Sequence, residues 1–287
     1  MDDRLKQEAI RLYDRFTHEG LERRVFMSRM VTLAGSFAAA EALIASIAAS
    51  PAAAAVVPAD DPRLTTRTQD LVGGYKAYVA ESRTRSLKAT VVVIHENRGL
   101  NDHIRDVARR LGIAGFRAVA PDFLSTSGGT PADEDAAREA IGKLDLGRSL
   151  SDAVAILDEL AKSSRGGKVG AVGFCWGGGF VNSLAVAAGD KLDAGVSYYG
   201  PAPDASEAAK VQAPLLIHDA GLDDRVNRTS FRWVEALRAA GKPVKFYLYE
   251  GVNHAFNNDS SSERYDKAAA DLAWKRTLDF FKKNLGA

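Results

Sequence analysis

The chain has 287 residues, with 38 Lys plus Arg against 37 Asp plus Glu, 46% hydrophobic residues and a single Cys. It is too apolar for a disordered chain, and its +1 net charge argues against a strongly basic nucleic-acid surface, which needs clustered Lys and Arg. One Cys can make neither an intramolecular disulfide nor a Cys-based structural zinc site.

Residues 1–55 differ in composition from everything that follows. From Met30 to Ala49 the only charge is Glu41, but Ala, Gly and Ser dominate the stretch, so it makes a weak membrane anchor. Arg23-Arg24-Val25-Phe26-Met27 precedes it, and Pro51-Ala52-Ala53-Ala54-Ala55 follows with small-x-small cleavage sites. The pattern resembles a twin-arginine export signal, with Glu22 and Ser28 as departures from it. It predicts a leader outside the fold, passage through the twin-arginine export machinery, cleavage near Ala54 or Ala55, and a periplasmic product with no membrane anchor. The alternatives are a cytoplasmic protein with an Ala-rich helical extension and an uncleaved anchor. Because residues 1–55 hold seven basic and seven acidic residues, their removal leaves the charge balance unchanged.

A polar linker is expected over 56–68, and one catalytic domain over 69–287. The strand candidates are Ala89 to His95, Arg117 to Ala120, Lys168 to Gly173, Ala194 to Tyr198, Pro214 to His218 and Val244 to Tyr249. Several are continuous apolar runs, the mark of strands covered on both faces. Helical patterns alternate with them at Asp102 to Ala114, Ala132 to Lys143, Leu150 to Lys162, Trp176 to Ala188, Arg228 to Ala240 and Arg264 to Asn284. The alternation predicts an α/β fold with a mostly parallel sheet and helices on both faces. Active groups then belong at the C-terminal ends of the strands.

The third strand candidate runs into Gly173-Phe174-Cys175-Trp176-Gly177-Gly178 and then a helical pattern. This is the Cys form of a G-x-S-x-G nucleophile elbow, in which flanking glycines keep a strained turn clear of its neighbours. A free thiol has a pKa of about 8.5, and a helix N-terminus favours the reactive thiolate. A Cys nucleophile needs a base and an orienting acid, which follow it in this fold in the order acid, then His. Asp219 to Val226 ends the next strand but one, and Glu250 to Phe256 ends the last. His254 is the His in a suitable post-strand loop. Of the acids, Asp223 has the D-x-x-V spacing to Val226 and is favoured over Asp224. His18 falls in the leader, His95 and His218 close strands as structural residues, and His103 opens a helix as a surface or capping residue.

With Val93-Ile94-His95-Glu96-Asn97-Arg98-Gly99-Leu100 and Gly251-Val252-Asn253-His254-Ala255-Phe256, these motifs resemble the dienelactone hydrolase (carboxymethylenebutenolidase) family of α/β-hydrolases, over roughly 71–285. The resemblance implies a catalytic Cys175, Asp223 and His254, and a Glu96 that holds the resting thiol until substrate displaces it. It further implies an oxyanion hole from the backbone N–H groups of Asn97 and Trp176. Arg98 and Arg225 are candidates for binding a substrate carboxylate. The expected reaction is hydrolysis of a small-molecule ester or lactone through a thioester acyl-enzyme. A general carboxylesterase or acyltransferase on the same scaffold is the alternative, followed by a non-catalytic exported binding protein. The sequence has no metal-type clustering of His and carboxylates, no G-x-G-x-x-G and no P-loop, so neither metal nor organic cofactor is expected.

Overall fold

A computed structural model describes residues 3–48, 56–84, 89–163 and 167–286. Eight strands form one sheet: β1 (Leu64–Leu71), β2 (Tyr75–Ser82), β3 (Thr90–Ile94), β4 (Arg117–Asp122), β5 (Val169–Phe174), β6 (Ala194–Tyr198), β7 (Leu215–Ala220) and β8 (Val244–Tyr249). Their spatial order is β1-β2-β4-β3-β5-β6-β7-β8. The β1–β2 and β2–β4 pairs are antiparallel and all others parallel. Between β3 and β8 every candidate from the sequence forms a strand, and the expected α/β architecture holds.

The central strands β3, β5, β6 and β7 are buried along their whole length, so both faces need apolar cover. On one face lie α4 (Asp102–Ile113) and α9 (Lys267–Leu285), which bury Ile104, Val107, Leu111, Ala273 and Phe281. On the other lie α6 (Leu146–Ser163), α7 (Trp176–Ala187) and α8 (Asp224–Ala239), which bury Ile156, Leu157, Phe180, Leu184 and Trp233. A shorter helix, α5 (Glu134–Gly142), follows β4. Each large side chain buried in this way stabilises the fold by about 1.5–3 kcal/mol.

Two expectations need correction. Residues 64–68, expected in the linker, open β1. The strand Leu-Thr-Thr-Arg-Thr-Gln-Asp-Leu is buried only at its ends, because a sheet-edge strand with one neighbour needs no apolar alternation. Nor do residues 3–47 lie outside the fold. They form α1 (Asp3–His18), α2 (Arg23–Ala34) and α3 (Phe37–Ile47), a cap with its own core of Ile10, Phe16, Phe26, Met30, Leu43 and Ile47. Phe16 stacks on Phe26 with ring centroids 4.3 Å apart. Of the apolar run that resembles a signal, Met30, Ala40, Leu43 and Ile47 are thus buried between helices, while Phe37 and most of its alanines face outward. No single described helix is long and apolar enough to cross a membrane; α2 and α3, bent by 105°, pass such a test only together. The expected cleavage positions, Ala54 and Ala55, lie outside the described residues.

Candidate active site

Cys175 sits between β5 and α7 with φ 55° and ψ −114°, a conformation L-residues rarely adopt. The elbow survives because its glycines permit close approach. A Cβ on Gly173 would lie 2.0 Å from the Gly177 carbonyl oxygen, and one on Gly177 would lie 2.4 Å from that of Ile94. Any larger residue would therefore push the turn off the sheet. Among the described residues, the non-glycine positions with positive φ are Cys175, Tyr199 and Ala255, and they cluster here. Cys175 and Ala255 line one cavity, and the Tyr199 ring packs 5.0 Å from that of His254. Strain of about 1–3 kcal/mol per residue, concentrated at one place, marks a site whose geometry is held by its surroundings.

The loop after β8 brings in His254, and the end of β7 brings in Asp223. His254 Nδ1 lies 2.5 Å from Asp223 Oδ2, and both residues are buried. Asp223 also caps α8, accepting the Val226 N–H through Oδ1 at 3.1 Å, which explains the D-x-x-V spacing. Asp224, the other acid weighed, is exposed. Burial alone would disfavour the imidazolium, but the Asp223 carboxylate and the Cys175 thiolate outweigh it and push His254 up to about 10. Burial likewise opposes the Asp223 carboxylate, and the charge of His254 outweighs it to hold the pKa below its usual value. The site therefore favours the imidazolium form of His254 against the Asp223 carboxylate.

A cleft of about 240 Å³ reaches Cys175 between His18, Asn97, Arg138, Trp176, Pro201 and Arg225. A smaller cavity of about 20 Å³, room for one water-sized group, also reaches the thiol and is lined by Glu96, His254 and Asn258. The cleft alone is large enough to admit a substrate.

The Dienelactone hydrolase family matches residues 75–285. The chain belongs to the dienelactone hydrolase family. It is 31% identical over 281 residues to a protein of Methylorubrum extorquens named "Putative carboxymethylenebutenolidase", covering 90% of this chain and 93% of that one. Among solved structures it resembles a dienelactone hydrolase-like promiscuous phosphotriesterase from metagenomic libraries. That likeness has a TM-score of 0.68 and 26% identity, over 78% of this chain and 100% of the other. Dienelactone hydrolase from Anabaena variabilis, 21% identical with a TM-score of 0.63 over 78% of this chain and 99% of its own, shares the fold.

As a dienelactone hydrolase-like hydrolase, the chain can be examined residue by residue. Glu96 lines the small cavity with the thiol, but its Oε2 accepts from Asn258 Nδ2 at 2.8 Å and its Oε1 has no partner among the described residues. The resting Glu96–thiol contact that the resemblance implies is not among the described hydrogen bonds. Asn97 and Trp176 line the cleft beside Cys175, and Trp176 begins α7, where backbone N–H groups have no intrahelical acceptor. Of the two arginines, Arg98 is engaged by Glu134 and by the Tyr13 hydroxyl, whereas Arg225 lines the cleft without an ion pair to any described residue. Arg138, which no motif singles out, lines the same cleft but is engaged by the Phe16 carbonyl and Asp135.

The remaining histidines divide differently from expectation. His95 and His218 are structural: His95 accepts the Phe123 N–H, and His218 binds the hydroxyls of Tyr249 and Thr277. His103, expected at the surface, is buried against Asp259 at 3.0 Å. His18, assigned to the leader, is at the active site. Both its ring nitrogens lie 3.9 Å from Cys175 Sγ, and its ring centroid is 4.8 Å from that of His254. Burial, reinforced by the charge on His254, drives its pKa well below the usual value and keeps it neutral.

Proposed function

We propose that this hydrolase cleaves a small ester or lactone through a thioester acyl-enzyme on Cys175. The observation that carries the reading is a strained, buried thiol beside the Asp223–His254 pair at the foot of the cleft. The thiolate attacks the carbonyl carbon, and the resulting oxyanion accepts hydrogen bonds from the backbone N–H groups of Asn97 and Trp176. Donors of this kind contribute about 3–4 kcal/mol each to the transition state. Collapse of the tetrahedral intermediate expels the alkoxide, which takes the His254 Nε2 proton and leaves the acyl group on sulfur. Neutral His254 then takes a proton from water, hydroxide attacks the thioester, and the thiolate departs with the imidazolium restored. Asp223 orients His254 throughout.

Arg225 in the cleft, with no ion pair among the described residues, favours a substrate with a carboxylate near its reacting carbonyl, as in a dienelactone. Hydrolysis of dienelactone, p-nitrophenyl esters and a phosphotriester by wild type and by Cys175→Ala, with iodoacetamide labelling at neutral pH, tests the reading. Strong preference for the charged lactone and loss in the variant support it. Unchanged turnover in Cys175→Ala removes the thiol from the mechanism, and preference for uncharged esters favours a general carboxylesterase.

Export through the twin-arginine machinery is a second proposal, supported by the Arg23-Arg24 pair and the Ala-rich run. Cleavage there would remove α1–α3, His18 included, from the mature chain, whereas an uncleaved chain keeps the cap. N-terminal sequencing of protein from the extracytoplasmic fraction tests it: a start after Ala54 or Ala55 supports cleavage, and an intact Met1 in the cytosol overturns it.

A further inference from the structure

His18 has no part in the proposed reaction, yet a long-range contact brings it from the end of α1 to the nucleophile. Cys175, His254 and His18 each offer a ligand atom, and these atoms lie within 4.8 Å of one another. No other such trio of His, Cys, Asp and Glu occurs among the described residues. A tetrahedral Zn²⁺ site with Zn–S near 2.3 Å and Zn–N near 2.0 Å has ligand–ligand edges of about 3.3–3.6 Å. The 3.9 Å between Cys175 Sγ and the His18 nitrogens is a few tenths of an ångström longer, and no pair in the trio exceeds 4.8 Å, so closing on an ion requires the side chains to draw in by up to about an ångström.

The surroundings match a metal site in three further respects. The Nε2 atom of His254 is buried with no hydrogen-bond partner among the described residues, while Nδ1 is held by Asp223. A carboxylate on the far nitrogen is the arrangement that orients metal-bound imidazoles and makes them better donors. Glu96 Oε1, also buried and unpartnered, lines the same small cavity. The Glu96 carboxylate and the thiolate together balance a divalent charge that would otherwise be costly to bury. The donor set of one sulfur and two imidazoles selects zinc-like ions over Mg²⁺ or Ca²⁺, which prefer oxygen.

We propose that Cys175, His254 and His18 form a three-ligand Zn²⁺ site that switches the hydrolase off and fastens the cap to the catalytic domain. Zn²⁺ binds the thiolate sulfur, takes the place of the proton on His254 Nε2, which leaves to solvent, and accepts the lone pair of one His18 nitrogen. Water or Glu96 completes the coordination. The bound thiolate cannot attack a carbonyl, so metal and substrate exclude each other.

The test uses the full-length chain freed of metal with a chelator. Zn²⁺ affinity is measured by competition with a chromogenic chelator, and Co²⁺ serves as the spectroscopic probe, for wild type, His18→Ala, His18→Gln and Cys175→Ser. The expected result is one equivalent bound, with a near-ultraviolet thiolate-to-cobalt band that Cys175→Ser lacks. Loss of the third ligand weakens binding by about tenfold or more in both His18 variants. Hydrolysis falls in step with Zn²⁺ occupancy and returns on chelation. His18→Gln keeps the shape of the side chain, so circular dichroism of that variant separates lost coordination from a lost fold. A missing thiolate band, binding of several equivalents, or equal affinity in wild type and a folded His18→Gln overturns the proposal. The band and the affinities are independent of turnover, so failure of the hydrolase reading would leave them readable.

Discussion

The cap and the catalytic domain are held in place by different forces. The sheet is sandwiched between two continuous apolar layers, with Val91, Val93, Val172 and Val196 buried toward one and Ile94, Ala171 and Ile217 toward the other. The cap has a separate apolar core, and the contacts that join it to the domain are largely polar. Arg264 meets Asp14 and packs over the Tyr13 ring; Arg98 donates to the Tyr13 hydroxyl, Arg138 to the Phe16 carbonyl and Asn97 to the Thr17 carbonyl. Lys6–Glu263 and Arg23–Asp135 lie near the surface, and Ser261 and Ser262 bond the end of α3. Apolar burial is insensitive to salt, whereas exposed ion pairs are screened and contribute about 0–1 kcal/mol each. The difference predicts that the cap, which walls the active site at His18, loosens before the catalytic scaffold unfolds.

The largest expected effect lies wholly in the scaffold. Cys175→Ala should lower kcat/KM for ester hydrolysis by about 10³-fold or more with the cap still docked. Asp223→Asn should cost about 10²–10⁴-fold by releasing the His254 orientation, whereas Asp224→Asn should stay within about threefold of wild type. Steady-state kinetics of the pair decide between the acids, and a large loss only in Asp224→Asn would reverse the assignment.

Asp219 probes the apolar confinement behind the triad. Burial, with the nearby Asp223 carboxylate adding to it, pushes its carboxyl up to about 7 from the ordinary value of 3.8, and neither of its oxygens has a hydrogen-bond partner among the described residues. The folded state therefore keeps a proton that the unfolded chain has lost, and stability falls as pH rises through this window, by up to about 4 kcal/mol. Asp219→Asn removes that ionisation. Its stability relative to wild type should rise between about pH 4 and pH 7 and then level off, as read by urea melts. A constant difference across pH would show that Asp219 does not titrate in this range.

Smaller effects belong to the cap. Arg264→Ala removes the Asp14 pair and the Tyr13 packing, so amide exchange in α1 should quicken by about tenfold, corresponding to about 1.4 kcal/mol, with α7 unchanged. Raised salt should act in the same direction. Equal quickening in α7 would show cap and scaffold to be one cooperative unit. Asn101→Ala should cost the scaffold about 1 kcal/mol through the lost α4 N-cap, where Asn101 Oδ1 accepts the Ile104 N–H.

What the sequence determined by itself is local and periodic. Runs such as Val91-Val92-Val93-Ile94 announce strands buried on both faces, Gly173 and Gly177 announce an elbow, and the order of Cys175, Asp223 and His254 announces a triad whose Asp–His contact the structure contains. Asp223 was legible over Asp224 because its spacing to Val226 is that of a helix cap. The edge strand β1 was not legible, since one neighbour and a solvated face leave it polar. Nor was the cap: its apolar run is compatible with a signal, and only packing shows where Phe26, Met30 and Leu43 are buried. The tertiary structure alone decided the place of His18. Its approach to Cys175 joins residues 157 positions apart through polar contacts spread over α1, and no periodicity in a linear sequence encodes such a meeting.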